Sequence, residues 1–155
     1  MAVTTLFVTC SKDEGGEREA IDTGVCFALL DKDSTDLLNP DNPNGYKFSE
    51  MGLYEDSELK RKRTNINWEL IPGENRFFNP EKLKEIYVVF FNAPMDYKIN
   101  RDGKTIWCAT SYLKLNQTTI DTVYTEVLET KNAQMIIKAL YNGTDITKNN
   151  VIVRE

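Results

Sequence analysis

If this chain is an enzyme, carboxylates, lysine or tyrosine must do its chemistry, because the sequence contains no histidine. That excludes a Ser-His-Asp or Cys-His nucleophile pair, an imidazole general base and a His-ligated zinc. Three cysteines, Cys10, Cys26 and Cys108, fall short of the four thiolates an all-cysteine zinc site needs. The spacing closest to a metal site is Asp31, Asp33 and Asp36, since spaced carboxylates suit a hard cation such as calcium. Counted from Asp31, however, the sixth residue of an EF-hand loop should be Gly and is Asp36. The twelfth should be a bidentate Glu and is Asn42. A turn whose Asx side chains bond their own backbone accounts for the same residues, so the preferred reading has no metal and no cofactor. Paired carboxylates for glycosidic cleavage need a separation of about 5–10 Å across a cleft, and the order of 24 acids along a chain does not say which two would face each other.

The elements that would position these residues are strands. Ile86–Phe91 is six consecutive apolar or aromatic residues, too short for an ordinary helix and rich in β-branched and aromatic types, which reads as a strand buried on both faces and central in its sheet. Gly24–Leu30 is a second apolar strand. Ile66, Trp68 and Leu70 alternate with polar neighbours, and so do Ile120–Leu128, with Val123, Thr125 and Val127 on one face and Ile120, Thr122, Tyr124 and Glu126 on the other. Asp102-Gly103 between two strand-like runs is a hairpin signal. Gln134–Tyr141 suits a strand or a short helix, and Val151–Val153 a last strand. Pro80–Leu83 is placed to start one short helical turn. Eight or nine short runs with turn residues every 8–12 positions predict an all-β fold: an antiparallel β-sandwich, immunoglobulin-like or transthyretin-like, with at most that one helical turn.

The chain has 155 residues, enough for one domain with a core of its own. Its net charge of −5 argues against nucleic acid as a partner, because non-specific binding there runs on excess Lys and Arg. Lys60-Arg61-Lys62-Arg63 is the local exception. It reads first as a charged edge or loop that deters strand pairing, and second as a site for an anionic partner.

At the N-terminus, uncharged and mildly apolar residues 1–9 end at Cys10. Ser11-Lys12-Asp13-Glu14-Gly15-Gly16-Glu17-Arg18-Glu19 then turn abruptly acidic and glycine-rich, with the composition of a flexible tether. Phe7-Val8-Thr9-Cys10 followed by Ser11-Lys12-Asp13-Glu14 resembles the lipobox and export run of Bacteroidetes surface lipoproteins. The departures are Phe7 where Leu is usual, Thr9 where Gly, Ala or Ser is usual, and the lack of Lys or Arg before Cys10. The resemblance implies a start upstream of Met1, a signal remnant over 1–9, a lipid on Cys10, a tether over 10–21 and a single sandwich domain over 22–155. It also implies an address at the outer membrane, facing outward. Asp36-Leu37-Leu38-Asn39-Pro40, Tyr112–Asn116, Asp121–Tyr124 and Tyr141-Asn142-Gly143 are similar to features of small lipoproteins of that group, over residues 10–145, and imply no catalytic residues. Asp33-Ser34-Thr35 and Asp121-Thr122-Val123 are similar to the sites at which that group attaches O-glycans, at Ser34 and Thr122. Polar turns explain them too, as they do Asn116-Gln117-Thr118 and Asn142-Gly143-Thr144, which fit the N-glycosylation pattern.

With Cys10 lipidated, Cys26 and Cys108 remain. They could bridge the two sheets as a disulfide or stay as buried thiols. Trp68, Trp107, Tyr112, Tyr124 and Tyr141 could form a stacking platform for a sugar or belong to the core. The function expected is a lipid-anchored cell-surface β-sandwich that binds or assembles with an extracellular protein or glycan and is not an enzyme. The alternatives are an accessory structural subunit of a surface complex, or a carboxylate-dependent enzyme acting on glycans or peptides.

Overall fold

The computed structural model describes residues 20–72, 86–147 and 150–155. Its strands in chain order are β1 (Ala20–Asp22), β2 (Gly24–Asp31), β3 (Gly52–Tyr54), β4 (Trp68–Ile71), β5 (Val88–Asn92), β6 (Tyr97–Arg101), β7 (Lys104–Lys114), β8 (Ile120–Glu129), β9 (Ala133–Tyr141), β10 (Thr144–Asp145) and β11 (Val151–Arg154). A single 3-10 turn, Phe48–Glu50, lies between β2 and β3 among the described residues. The helical turn expected at Pro80–Leu83 lies outside them.

The fold is all-β, in two sheets packed together. One is four-stranded, in the order β11-β2-β5-β4. The other is seven-stranded and runs β1-β9-β8-β7-β3, with β10 also beside β9 and β6 also beside β7. The apolar run from Ile86 behaves as its composition requires: β5 is interior, antiparallel to β2 on one side and to β4 on the other. Val89 and Phe91 point into the core between the sheets, and Val88 packs with Ala28, Leu30 and Ile86 on the opposite face. The wholly antiparallel expectation needs correction, because β1 beside β9 and β11 beside β2 run parallel. Neither strand is tied to its neighbour by a hairpin, so no short turn dictates its direction.

Period-2 alternation builds the core. Val25, Phe27 and Leu29 of β2 meet Val123 and Val127 of β8, Leu113 of β7 and Tyr141 of β9. Phe27 stands edge-on to Tyr141 across the sheets with ring centroids 5.3 Å apart, and edge-on to Phe91 beside it at 6.5 Å. Ile66, Trp68 and Leu70 pack on this core from one side, and the Trp68 ring stacks on Phe48 at 5.3 Å.

The chain changes sheet at buried Thr23, whose carbonyl accepts a hydrogen bond from Ala93 N–H at 2.7 Å. Before it, β1 joins the seven-stranded sheet; after it, β2 joins the other. Ala20 and Ile21, expected in the tether, are thus strand residues paired with Ala133 and Gln134. Cys10 and the rest of residues 1–19 lie outside the described residues.

The turns follow their Asx residues. Asp31 Oδ1 accepts from the backbone N–H of Asp33 at 2.9 Å and of Thr35 at 2.8 Å. Asp36 Oδ1 accepts from Leu38 N–H, and its Oδ2 from Tyr87 N–H, each at 2.8 Å. Asp102 and Gly103 have φ of +54° and +76°, the left-handed pair a two-residue hairpin between β6 and β7 demands.

Val88, 2% exposed, gives the most direct test of the core. Val88→Asp puts an unpaired carboxylate there and is expected to abolish the cooperative thermal transition followed by circular dichroism. A soluble variant with an unchanged melting temperature would refute the placement of β5.

Candidate interaction surface

Cross-strand register arranges the outer face of the seven-stranded sheet in rows. Tyr97, Cys108, Glu126 and Lys138 stand side by side on β6, β7, β8 and β9, and the next row is Ile99, Ile106, Leu128 and Met135. These are the residues alternate to Leu113, Val123 and Val127, which face the other sheet. A bulge in β9 inserts Ile137 between the two rows. Ile106 is buried, Ile99 and Leu128 are half-buried, and Met135 is 42% and Tyr97 51% exposed.

An ionic cluster reaches across this apolar row, since Arg101 stands two residues beyond Ile99 and Glu126 two residues before Leu128. The Arg101 guanidinium donates to both oxygens of Glu126, at 2.9 and 3.0 Å, and Tyr124 Oη–H donates to Glu126 Oε1 at 2.9 Å. Glu126 is 3% exposed. The bonds from Arg101 hold its carboxyl below the usual carboxylate range, helped by Tyr124 and opposed by burial. Burial, the Cys108 thiol and Glu126 push the Tyr124 phenol far above its ordinary value.

A second region lies at one end of the sandwich, where a cavity of about 330 Å³ opens between the β9–β10 hairpin and β11. Behind it, Asp121 of β8, 5% exposed, accepts from Tyr141 Oη–H at 2.5 Å and from Arg154 Nη1 of β11. The guanidinium also lies 5.8 Å from the centre of the Tyr46 ring. Burial and then Asp121 raise the Tyr141 phenol well above its ordinary value. This is a latch between sheets: its carboxylate, phenol and cation are all engaged with one another. The acids whose carboxyls burial pushes upward among the described residues are Asp22 and Asp36. Neither lines the cavity, and both Asp36 oxygens are bound to backbone N–H groups.

The residues singled out from sequence are dispersed. Cys26 and Cys108 cannot bridge the sheets, a correction to the disulfide reading. Cys26 alternates with core residues Val25 and Phe27, and Cys108 with the inward set of β7, so the two point to opposite outer faces. Each is buried, and Cys26 Sγ lies 3.3 Å from Asn150 Nδ2. The oxygens of Asp31 and Asp36 named above cap backbone N–H groups, and no group of acids and thiols able to hold a metal occurs among the described residues. Ser34 is exposed at a tight turn with φ of +66°. Thr122 is half-buried within β8, so Asp121-Thr122-Val123 is strand and not turn. The five aromatics form no platform. Trp68, Trp107 and Tyr141 belong to or pack on the inter-sheet core, and Tyr112 and Tyr124 lie on the outer face.

Three members of the basic run form ion pairs, and Lys62 bridges to Tyr54. Lys60 meets Glu58, Arg61 meets Glu55, and Arg63, its side chain 6% exposed, makes a bidentate bond to Asp96 at 2.8 and 2.6 Å. Sequence reasoning missed Asp121 and Arg154. The available signal was that Asp121 shares the parity of Val123, Thr125 and Val127, making it a carboxylate on the buried face.

Two outcomes follow. Arg154→Ala strands a buried carboxylate and is expected to cost about 3 kcal/mol in urea denaturation, with the Asp121→Asn and Arg154→Ala changes together costing less than their sum. A loss below about 0.5 kcal/mol, the level of an ordinary surface change, would dismiss the latch. For Glu126 the folded pKa is depressed, so its stabilisation is present above the unfolded value and lost as pH falls through the folded one. Glu126→Gln should therefore be less stable than the native chain at neutral pH, with the gap closing below about pH 4; a gap independent of pH would contradict this.

Comparison of the chain with protein families, characterised proteins and solved structures finds no match.

Proposed function

We propose that this chain is a non-catalytic assembly domain, held at a bacterial cell surface by a lipid on Cys10, whose outer seven-stranded face meets another protein. The observation that carries the reading is the row Ile99–Ile106–Leu128–Met135, flanked by Tyr97, on the face turned away from the other sheet. A solvated sheet face ordinarily alternates to polar residues, whereas here Tyr97 and Met135 stay exposed and Ile99 and Leu128 half-buried around buried Ile106; exposed apolar area of this kind marks an interaction surface. Arg101, Glu126 and Lys138 add charge to the same face. Support for the address comes from the lipobox-like Phe7-Val8-Thr9-Cys10 and the acidic residues after it, with residues 11–19 between the cysteine and β1. No helix among the described residues is long and apolar enough to cross a membrane.

A protein partner is favoured over a glycan because the aromatics are divided between core and surface. The enzymatic alternative has less to rest on, since the acids raised by burial, Asp22 and Asp36, sit on separate elements.

The test is intact-mass analysis of the chain from the native membrane fraction, with protease shaving of whole cells. A diacylglycerol-modified N-terminal Cys10, and loss of the domain on shaving, are expected. An unmodified soluble chain that retains Met1 would end the surface reading.

A further inference from the structure

The outer face ends at β6, and this strand is the longest of the terminal strands at either margin. The two-residue hairpin makes Arg101 and Lys104 a hydrogen-bonded pair, and by alternation Ile99 with Ile106 and Tyr97 with Cys108. The backbone N–H and C=O of Lys98 and Asn100 therefore point out of the sheet, and among the described residues no backbone group meets them. The other strand on this side of β7 is closed: Leu53 O accepts from Arg63 N–H, and Tyr54 bridges to Lys62.

Edge strands are commonly protected by cations left standing in water. β6 carries two, both exposed, and both lean back over their own sheet and not outward past the edge. Arg101 is committed to Glu126, and Lys98 Nζ lies 5.3 Å from the centre of the Trp107 ring.

We propose that β6 is a self-pairing edge, and that two copies of this chain join there through a two-fold axis at Ile99 into one continuous sheet. Resting on the assembly reading above, this names the first partner of that surface as a second copy. The register follows from hydrogen-bond phase and charge. Centred on Ile99, Lys98 faces Asn100 of the second copy and Asn100 faces its Lys98, both as hydrogen-bonded pairs, while Ile99 faces its counterpart in a close non-hydrogen-bonded pair. Arg101 comes beside Tyr97 of the second copy, a cation on an aromatic face. Asp96 approaches Asp102 of the second copy at the margin, with its own charge already met by Arg63. Centring on Lys98 sets like charges opposite each other and asks for Asp96 N–H, which is bonded to Cys108 O at 3.1 Å. Centring on Asn100 asks the left-handed Asp102 to pair as a strand residue. In the Ile99 register the apolar row doubles across the axis, from Met135 of one copy to Met135 of the other.

One five-residue pairing buries less than the roughly 1,200 Å² of a stable interface, so the dimer is weak in solution. Confinement of anchored copies to one plane raises their effective concentration.

Sedimentation equilibrium of the full chain carrying Cys10→Ser, from about 10 µM to 1 mM, should show a reversible rise toward twice the monomer mass. Lys98→Pro removes an outward N–H without touching the β7 ladder and should stay monomeric. Under mild oxidation Ile99→Cys should give a reducible dimer, since that pair lies about 4.5 Å apart between Cα atoms. Tyr97→Cys should not, because its counterpart is about 13 Å away. A chain that stays monomeric at the top concentration with no Ile99→Cys dimer overturns the proposal, and equal cross-linking at both positions overturns the register. If Lys98→Pro fails to fold, the cysteine pair decides. Cys10 found lipidated while these assays fail would sink the dimer and leave the surface reading standing; a soluble chain that dimerises through Ile99 would do the reverse.

Discussion

A single buried carboxylate constrains how the two sheets can meet. Asp121 lies on the core-facing side of β8, where an ionised group is tolerated only when paired and hydrogen-bonded. Tyr141 comes from the neighbouring strand, but the cation has to come from the other sheet, and Arg154 supplies it. This accounts for the direction of β11. In the observed parallel register Arg154 lies beside Asp31 at the far end of β2. Reversed, it would lie beside Ala28, roughly 10 Å along the strand, beyond the reach that holds Asp121. The chain thus fastens its sheets at both ends of the described sequence: through the backbone at Thr23, where one run crosses between them, and through the ion pair at Arg154.

The outer face of the larger sheet obeys the same rule with a different result. Glu126 is as buried as many core residues although it points away from the core, and Arg101 answers it from across two strands. That bond draws the turn end of the β6–β7 hairpin down onto the sheet and spreads the guanidinium over the surface. The Arg101 side chain crosses the apolar row from Ile99 to Met135 to make it, over buried Ile106. The face therefore offers apolar area crossed by charge already neutralised, which lowers the desolvation cost of covering it.

Much of this was legible as strand and turn. The β-branched run at Ile86, the hairpin at Asp102-Gly103 and the Asx turns at Asp31, Asp36 and Asn116 rest on local physics, on pleat, φ and side-chain-to-backbone bonding, and the structure has them. Pairing between distant segments was not. Parallel β1 and β11 depend on partners more than 100 residues away in sequence. The cysteines illustrate the point from the other side. Each lies in a strand, but whether they could meet depended on parity against a core that only the assembled sheets define. Lys60–Arg63 looked like one patch because its members are adjacent in sequence. Folding sends Arg63 inward to Asp96 and leaves Lys60 and Arg61 with local carboxylates.

That last case bears on how protected a sheet edge is. A count of Lys and Arg along the strands would rank β6, with Lys98 and Arg101, as guarded and β3, Gly52-Leu53-Tyr54, as bare. In β3 the protection is real but comes from the backbone, because Arg63 N–H and the bridge at Lys62 occupy the groups a visiting strand would use. In β6 the cations are present and exposed but lean over the sheet, so they do not cover the outward backbone groups that a visiting strand would use. Once Arg101 serves Glu126 and Lys98 lies over Trp107, what remains at the edge is the outward backbone of Lys98 and Asn100 with Ile99 between them. The buried Glu126 that fixes the hairpin is, by the same bond, what uncovers its edge.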